Sequence, residues 1–149
     1  LPDGSLDEGS HKMLKEVGDW MRRNGEAVYG SHAWKVPGEG EIVDGKLKML
    51  PGGKLERRHA DFKFDTQDFR FTVGKNKALY AFCMTVPEPG KQLKIKLLGN
   101  DSKNLDKPVK SVKMLGHEGK LTWKQEADGL VITCPAEMPF ATAVVFKIE

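Results

Sequence analysis

The chain has 149 residues, 39% of them hydrophobic and 30% charged, and carries a net charge of +3 from 24 Lys+Arg against 21 Asp+Glu. That length supports one ordinary domain with its own core, or a domain plus an appendage, and falls short of the ~250 residues of a complete (β/α)₈ barrel. No apolar run approaches the ~20 residues that span a bilayer, and the lysines are spread along strand-like stretches without interleaved aromatics, so neither a membrane nor a nucleic acid is the expected partner.

Leu1 to Ser10 is polar and acidic, with no apolar stretch that would serve as a signal peptide. Pro2-Asp3-Gly4 is turn chemistry, and Ser5 or Asp7 can cap a following helix. From Met13 the spacing predicts an amphipathic helix: Met13, Leu14, Val17, Trp20 and Met21 share one stripe, with charged residues on the other faces. Arg22 and Arg23 suit the negative end of its dipole, and Asn24-Gly25 is expected to end it with a left-handed residue. Glu26 to Tyr29 reads as one further turn, closed by Gly30. A bare stripe of this size needs a cover, so it is expected to pack on the rest of the chain or on a second copy, giving a homo-oligomer.

Beyond Trp34 the composition turns rich in glycine and proline, and residues 35–61 read as a surface linker with a short hairpin around Asp44-Gly45. From there the chain is a series of short alternating runs. Phe69, Phe71 and Val73 face one way and Arg70 and Thr72 the other. Ala78–Val86 is apolar on both faces and is expected to be a central strand, stopped by Pro87-Glu88-Pro89-Gly90. Leu93, Ile95 and Leu97 alternate with Lys94 and Lys96. Val109–Leu115, Leu121–Trp123 and Thr142–Ile148 complete the set, and Asp128-Gly129 is the strongest hairpin signal. The predicted fold is therefore mainly β: an antiparallel β-sandwich of about seven or eight strands preceded by one amphipathic α-helix.

Little here suggests catalysis. Glu39 and Glu41 lie in the glycine-rich linker, and Asp61, Asp65 and Asp68 near a strand start, so all five read as solvated loop carboxylates. No apolar surroundings are arranged to raise a pKa. His11, His32, His59 and His117 are scattered and no pair has zinc-ligand spacing. No nucleophile elbow or phosphate-binding glycine loop occurs, and neither a cofactor nor a metal is expected. Cys83 and Cys134 read as two buried thiols or as a bridge between neighbouring strands. Trp20 and Trp123 read as core residues, whereas Trp34, ahead of the glycine-rich segment, is the one candidate sugar contact. Asn100-Asp101-Ser102 is a glycosylation sequon in a polar loop.

The run KEVGDWMRRNGEAVYGSHAW, with PDG shortly upstream, resembles the C-terminal end of the catalytic domain in the α-L-fucosidases (glycoside hydrolase family 29). In that family the closing barrel helix leads through an N-G-E-A-[IV]-Y motif to a Trp. DFRFT (68–72), ALYAFCMTVP (78–87), VKMLGHEGKLTWKQEADGLVITCP (112–135) and AVVFKI (143–148) are similar to the β-sandwich that follows the barrel. The resemblance implies three parts: residues 1–34 as the terminal helix and exit loop of a catalytic barrel, 35–61 as a linker, and 62–149 as the C-terminal sandwich. It implies that the catalytic Asp and Glu lie upstream, leaving no catalytic residue in this chain. The partner it implies is that N-terminal barrel, and the substrate of the intact enzyme is fucosylated glycans. A secreted, periplasmic or lysosomal location is implied for the whole protein. The alternative reading of the same sandwich is a carbohydrate-binding module.

Overall fold

A computed structural model describes residues 4–40, 49–50, 54–55 and 64–149. Glu41, His59, Asp61 and the hairpin expected at Asp44-Gly45 lie outside the described residues.

Helix α1 (Glu8–Asn24) starts where its chemistry predicts. Asp7 is the N-cap: its carboxylate accepts from the Ser10 amide and from the Ser10 hydroxyl, each at 2.8 Å, which satisfies a donor the first turn leaves open. These hydrogen bonds hold the Asp7 carboxyl below its ordinary value. The exit differs from expectation. Gly25 is right-handed (φ −59°), so the chain tightens into a 3₁₀ turn at Gly25–Ala27, and the left-handed residue comes five positions later at Gly30 (φ 66°). Gly25 is needed for closeness and not for handedness: a Cβ there would sit 2.8 Å from the Tyr29 ring.

Among the described residues ten strands follow in order: β1 (His32–Glu39), β2 (Met49–Leu50), β3 (Lys54–Leu55), β4 (Phe69–Val73), β5 (Leu79–Cys83), β6 (Gln92–Ile95), β7 (Val112–Met114), β8 (Thr122–Glu126), β9 (Gly129–Thr133) and β10 (Val144–Ile148). β2 and β3 form a minimal two-stranded ladder. The other eight make two antiparallel sheets, one ordered β1-β4-β5-β10-β7 and the other β6-β9-β8. Phe69, Phe71, Ala81, Val144, Phe146 and Met114 from the larger sheet meet Leu93, Ile95, Leu130 and Ile132 from the smaller in one continuous core. This is the expected sandwich.

β5 lies between β4 and β10, which explains its two apolar faces. Leu79, Ala81 and Cys83 enter the central core, while Tyr80 and Phe82 face outward and build a second apolar cluster with Val145, Ala78, Leu115 and Ala27. Trp20 closes that outer cluster: its ring lies 6.3 Å from Phe82, and its indole N–H donates to the Ala143 carbonyl at 2.7 Å. Thr72 pins the 3₁₀ turn by donating to the Ala27 carbonyl at 2.8 Å.

Residues 32–39, straddling the expected linker boundary at 34/35, form an edge strand. Its pairing with β4 jumps between Ala33 and Gly38, and Pro37 falls in that irregular stretch. An edge strand tolerates a proline at such a bulge because no ladder bond is required of it there, which is why composition alone hid the strand. The Asp128-Gly129 hairpin also forms, shifted by one: Glu126 pairs with Gly129, so Ala127 and Asp128 make the turn. Asp128 then pairs with Lys94 at 2.7 Å across the sheet.

Cys83 and Cys134 are free and buried. Burial pushes both thiols up from the ordinary 9.0 to about 11. A thiol with a raised folded pKa holds its proton more tightly when folded. Its contribution to stability is therefore complete below pH 9.0 and is lost as the pH climbs toward 11. At about pH 8, iodoacetamide is expected to leave both thiols unmodified in the folded chain and to alkylate both in urea, as mass spectrometry would read directly.

Candidate functional site

Two of the carboxylates expected to be solvated are parts of the framework. Glu39, expected to be solvated, is only 8% exposed. Its two oxygens accept from the backbone amides of Lys96 and Leu97 at 3.0 and 2.8 Å, tying the edge strand of the large sheet to the 3₁₀ turn (Lys96–Leu98) that follows β6. Asp68, likewise expected to be solvated, is 2% exposed and accepts from the Asp65 amide at 2.8 Å. Both are buried parts of the framework. Asp65 remains exposed, and its carboxylate accepts from the Gln67 amide. His11 and His32 are exposed, and His117 is partly buried. Among the described residues no group of three or more His, Cys, Asp or Glu is placed to hold a metal.

Two features of the described residues face outward with chemistry to offer. The first is a cleft of about 660 Å³ at one end of the large sheet. Trp34 on β1 forms one wall. It packs edge-on against Phe71 at 5.3 Å, so its ring is held in place from the core side. Val73, Leu79 and Ile148, paired in neighbouring strands, make an apolar floor, and the loop at 104–110 arches over to supply Leu105 and Val109. The rim is charged: Lys35, Lys77, Lys107 and Lys110 against Asp106 and Glu149. Glu149 is already engaged by the Ser111 hydroxyl at 3.0 Å and by Lys147 at 3.9 Å. Lys77 is presented from a left-handed backbone (φ 64°) in the Gly74–Ala78 turn, and the Lys35 ammonium sits 5.9 Å from the Trp34 ring centroid. Within about 6 Å that is a cation–π contact. Trp34 is thus where the sequence places a candidate sugar contact, but partly buried and lining a cleft. Its lysines escaped sequence reading because they come from a strand, a turn and a loop with no common spacing.

The second is the helix stripe. Its expected packing on the sandwich holds only at the C-terminal end. Trp20 and Met21 are partly covered, whereas Met13, Leu14 and Val17 are 59%, 52% and 53% exposed. The outer face of the sheet is already filled by Trp20 and Ala27 over Tyr80 and Val145, so α1 is held by its last turns, and among the described residues no core cluster includes its first turns. Exposed large apolar residues in one stripe mark an interaction surface.

The comparisons with known proteins bear on both. The α-L-fucosidase C-terminal domain model matches residues 63–149, the stretch that carries β4 to β10. The chain is 28% identical over 138 residues to tissue α-L-fucosidase of Rattus norvegicus, covering 92% of this chain and 23% of that protein. To tissue α-L-fucosidase of Homo sapiens it is 27% identical over 149 residues, 97% of this chain and 24% of the relative. To plasma α-L-fucosidase of Homo sapiens it is 25% identical over 134 residues, 89% and 22% respectively. The chain thus spans about a quarter of the length of the curated relatives it matches. With a family match over more than half its residues, laid on the two sheets that form its core, the chain belongs to the α-L-fucosidase family and carries the C-terminal domain of that family.

Proposed function

We propose that this region supports the catalytic barrel of an intact α-L-fucosidase, an enzyme removing terminal α-L-fucose from glycoconjugates, and takes no part in bond cleavage. The observation that carries the reading is the uncovered stripe of α1. Met13, Leu14 and Val17 are exposed on a helix whose far end is anchored to the sandwich through Trp20. A helix fixed at one end and apolar at the other is built to bridge two bodies. The N-terminal barrel of the same protein is the body that family membership provides. In this division residues 1–34 go with the barrel, 35–61 link, and 62–149 form the sandwich, with β1 running across the first boundary as the edge strand that joins the helix exit to the large sheet.

A non-catalytic role is supported by what the described carboxylates do. Glu39 and Asp68 are buried and accept from backbone amides. Glu126 and Asp128 share Lys94 at the surface of a hairpin, where Lys94 holds the Asp128 carboxyl below its ordinary value and leaves no raised acid there of the kind a retaining glycosidase needs. Purified alone, the 149-residue chain is expected to release no 4-nitrophenol from 4-nitrophenyl α-L-fucoside above the blank. Turnover abolished by mutating its own carboxylates would overturn the reading. The relative named as a plasma enzyme supports a secreted setting for the whole protein. A second reading, that the sandwich also touches carbohydrate, is favoured by one observation: the cleft beside Trp34 combines a fixed indole with an apolar floor.

A further inference from the structure

We propose that the cleft beside Trp34 takes an acidic saccharide, a sugar chain bearing a carboxylate or sulfate group. The proposal rests on the reading of Trp34 as a sugar contact and adds the charge of the ligand. At about 660 Å³ the cleft is the size of a small-molecule site. Its make-up is two-fold. Trp34 and Val73, partly exposed above the buried Leu79 and Ile148, offer the apolar surface on which the C–H face of a pyranose packs. Around it stand Lys35, Lys77, Lys107 and Lys110, all exposed, none of them in an ion pair with any described residue.

The carboxylates do not cancel that charge. Glu149 is drawn to Lys147 and Ser111, leaving Asp106 as the one unengaged side-chain carboxylate among the described residues of the rim. Elsewhere Lys94, Lys124 and Lys147 each have a glutamate or aspartate within 4 Å. Other described lysines, Lys12, Lys15, Lys103 and Lys120 among them, also stand outside any ion pair, and what sets these four apart is that they gather about one cleft with the indole. Lys35 is placed to serve both halves of a ligand. Its ammonium lies 5.9 Å from the Trp34 centroid, so an anionic substituent on a sugar packed at Trp34 meets a cation next to the ring. Ammonium groups hold carboxylate and sulfate as point charges without demanding a fixed fork geometry, which suits a flexible acidic glycan.

The test is calorimetric titration of the 149-residue chain with 3′-sialyllactose and, in parallel, 2′-fucosyllactose, trisaccharides of equal length of which only the first is charged. The expected result is about tenfold tighter binding of the sialylated sugar at ~0.05 M salt, shrinking toward parity at ~0.5 M as the rim is screened. The double variant Lys107→Glu/Lys110→Glu, on an exposed loop away from the core, is expected to abolish the preference while leaving the thermal melt unchanged. Equal affinity for the two sugars, or a preference that survives charge reversal, would overturn the proposal while leaving Trp34 as a sugar contact. Binding of neither sugar would remove the sugar contact itself, and the proposal with it.

Discussion

Phe146→Ala is expected to lower the unfolding free energy by about 3–5 kcal/mol, the range for emptying a fully buried aromatic site. Phe146 has no exposed surface and sits on β10, bonded on one side to β5 and on the other to β7. Its pair partners are Ala81 and Met114. Ala81 is too small to collapse into the space, so the site stays largely empty and the penalty falls toward the upper end of the range. Against a total stability of about 5–15 kcal/mol the variant is only marginally folded. Urea unfolding with an unchanged m-value would give the number, and Lys113→Ala, on the exposed face of the neighbouring strand, is the control expected within about 0.5 kcal/mol of wild type. A Phe146→Ala loss below ~1 kcal/mol would mean that the two sheets are not packed as described.

The second large effect is at Glu39. Its carboxylate accepts from two adjacent backbone amides, Lys96 and Leu97, in a site that is 8% exposed. Hydrogen bonds to a charged group contribute about 1.5–3 kcal/mol each, and an amide left without a partner in a covered site loses more than the bond. Glu39→Ala is thus expected to destabilise by about 3 kcal/mol. Glu39→Gln keeps the shape but offers one oxygen where two are used, and is expected to lose about half as much. Amide exchange distinguishes this from a general weakening: Lys96 and Leu97 should exchange faster by a larger factor than the β9 amides. Uniform acceleration, or none, would show that the carboxylate is incidental.

Glu39 also marks the limit of sequence reading here. It sits between two glycines, two residues after a proline, and nothing local distinguishes it from a solvated loop acid. Its partners lie 57 and 58 residues further along the chain. Features whose cause is local were legible. The stripe of α1, the Asp7 cap, the two apolar faces of β5 and the turn near Asp128 all follow from spacing and turn chemistry within a few residues. Features set by long-range pairing were not: β1 as an edge strand with Pro37 in its irregular stretch, burial of Asp68, and the gathering of four lysines about Trp34 from separate segments. Gly25 was misjudged for another reason. A glycine ending a helix suggests a left-handed residue, whereas here it makes room for the Tyr29 ring. The helix stripe was legible as a surface in need of a cover, but how little of that cover the sandwich provides depends on Trp20 and Ala27 filling the sheet first.

The role as a support for the barrel is tested most directly by Leu14→Glu/Val17→Glu, made both in the isolated chain and in a full-length enzyme carrying the catalytic barrel ahead of it. In the isolated chain both positions are more than half exposed, and the melting temperature is expected to stay within about 1 °C. In the full-length enzyme, burying two carboxylates against an apolar surface should lower stability by about 3 kcal/mol or more and shorten the half-life of fucoside hydrolysis on heating. An unchanged full-length enzyme, or an isolated chain that itself loses stability, would contradict the account.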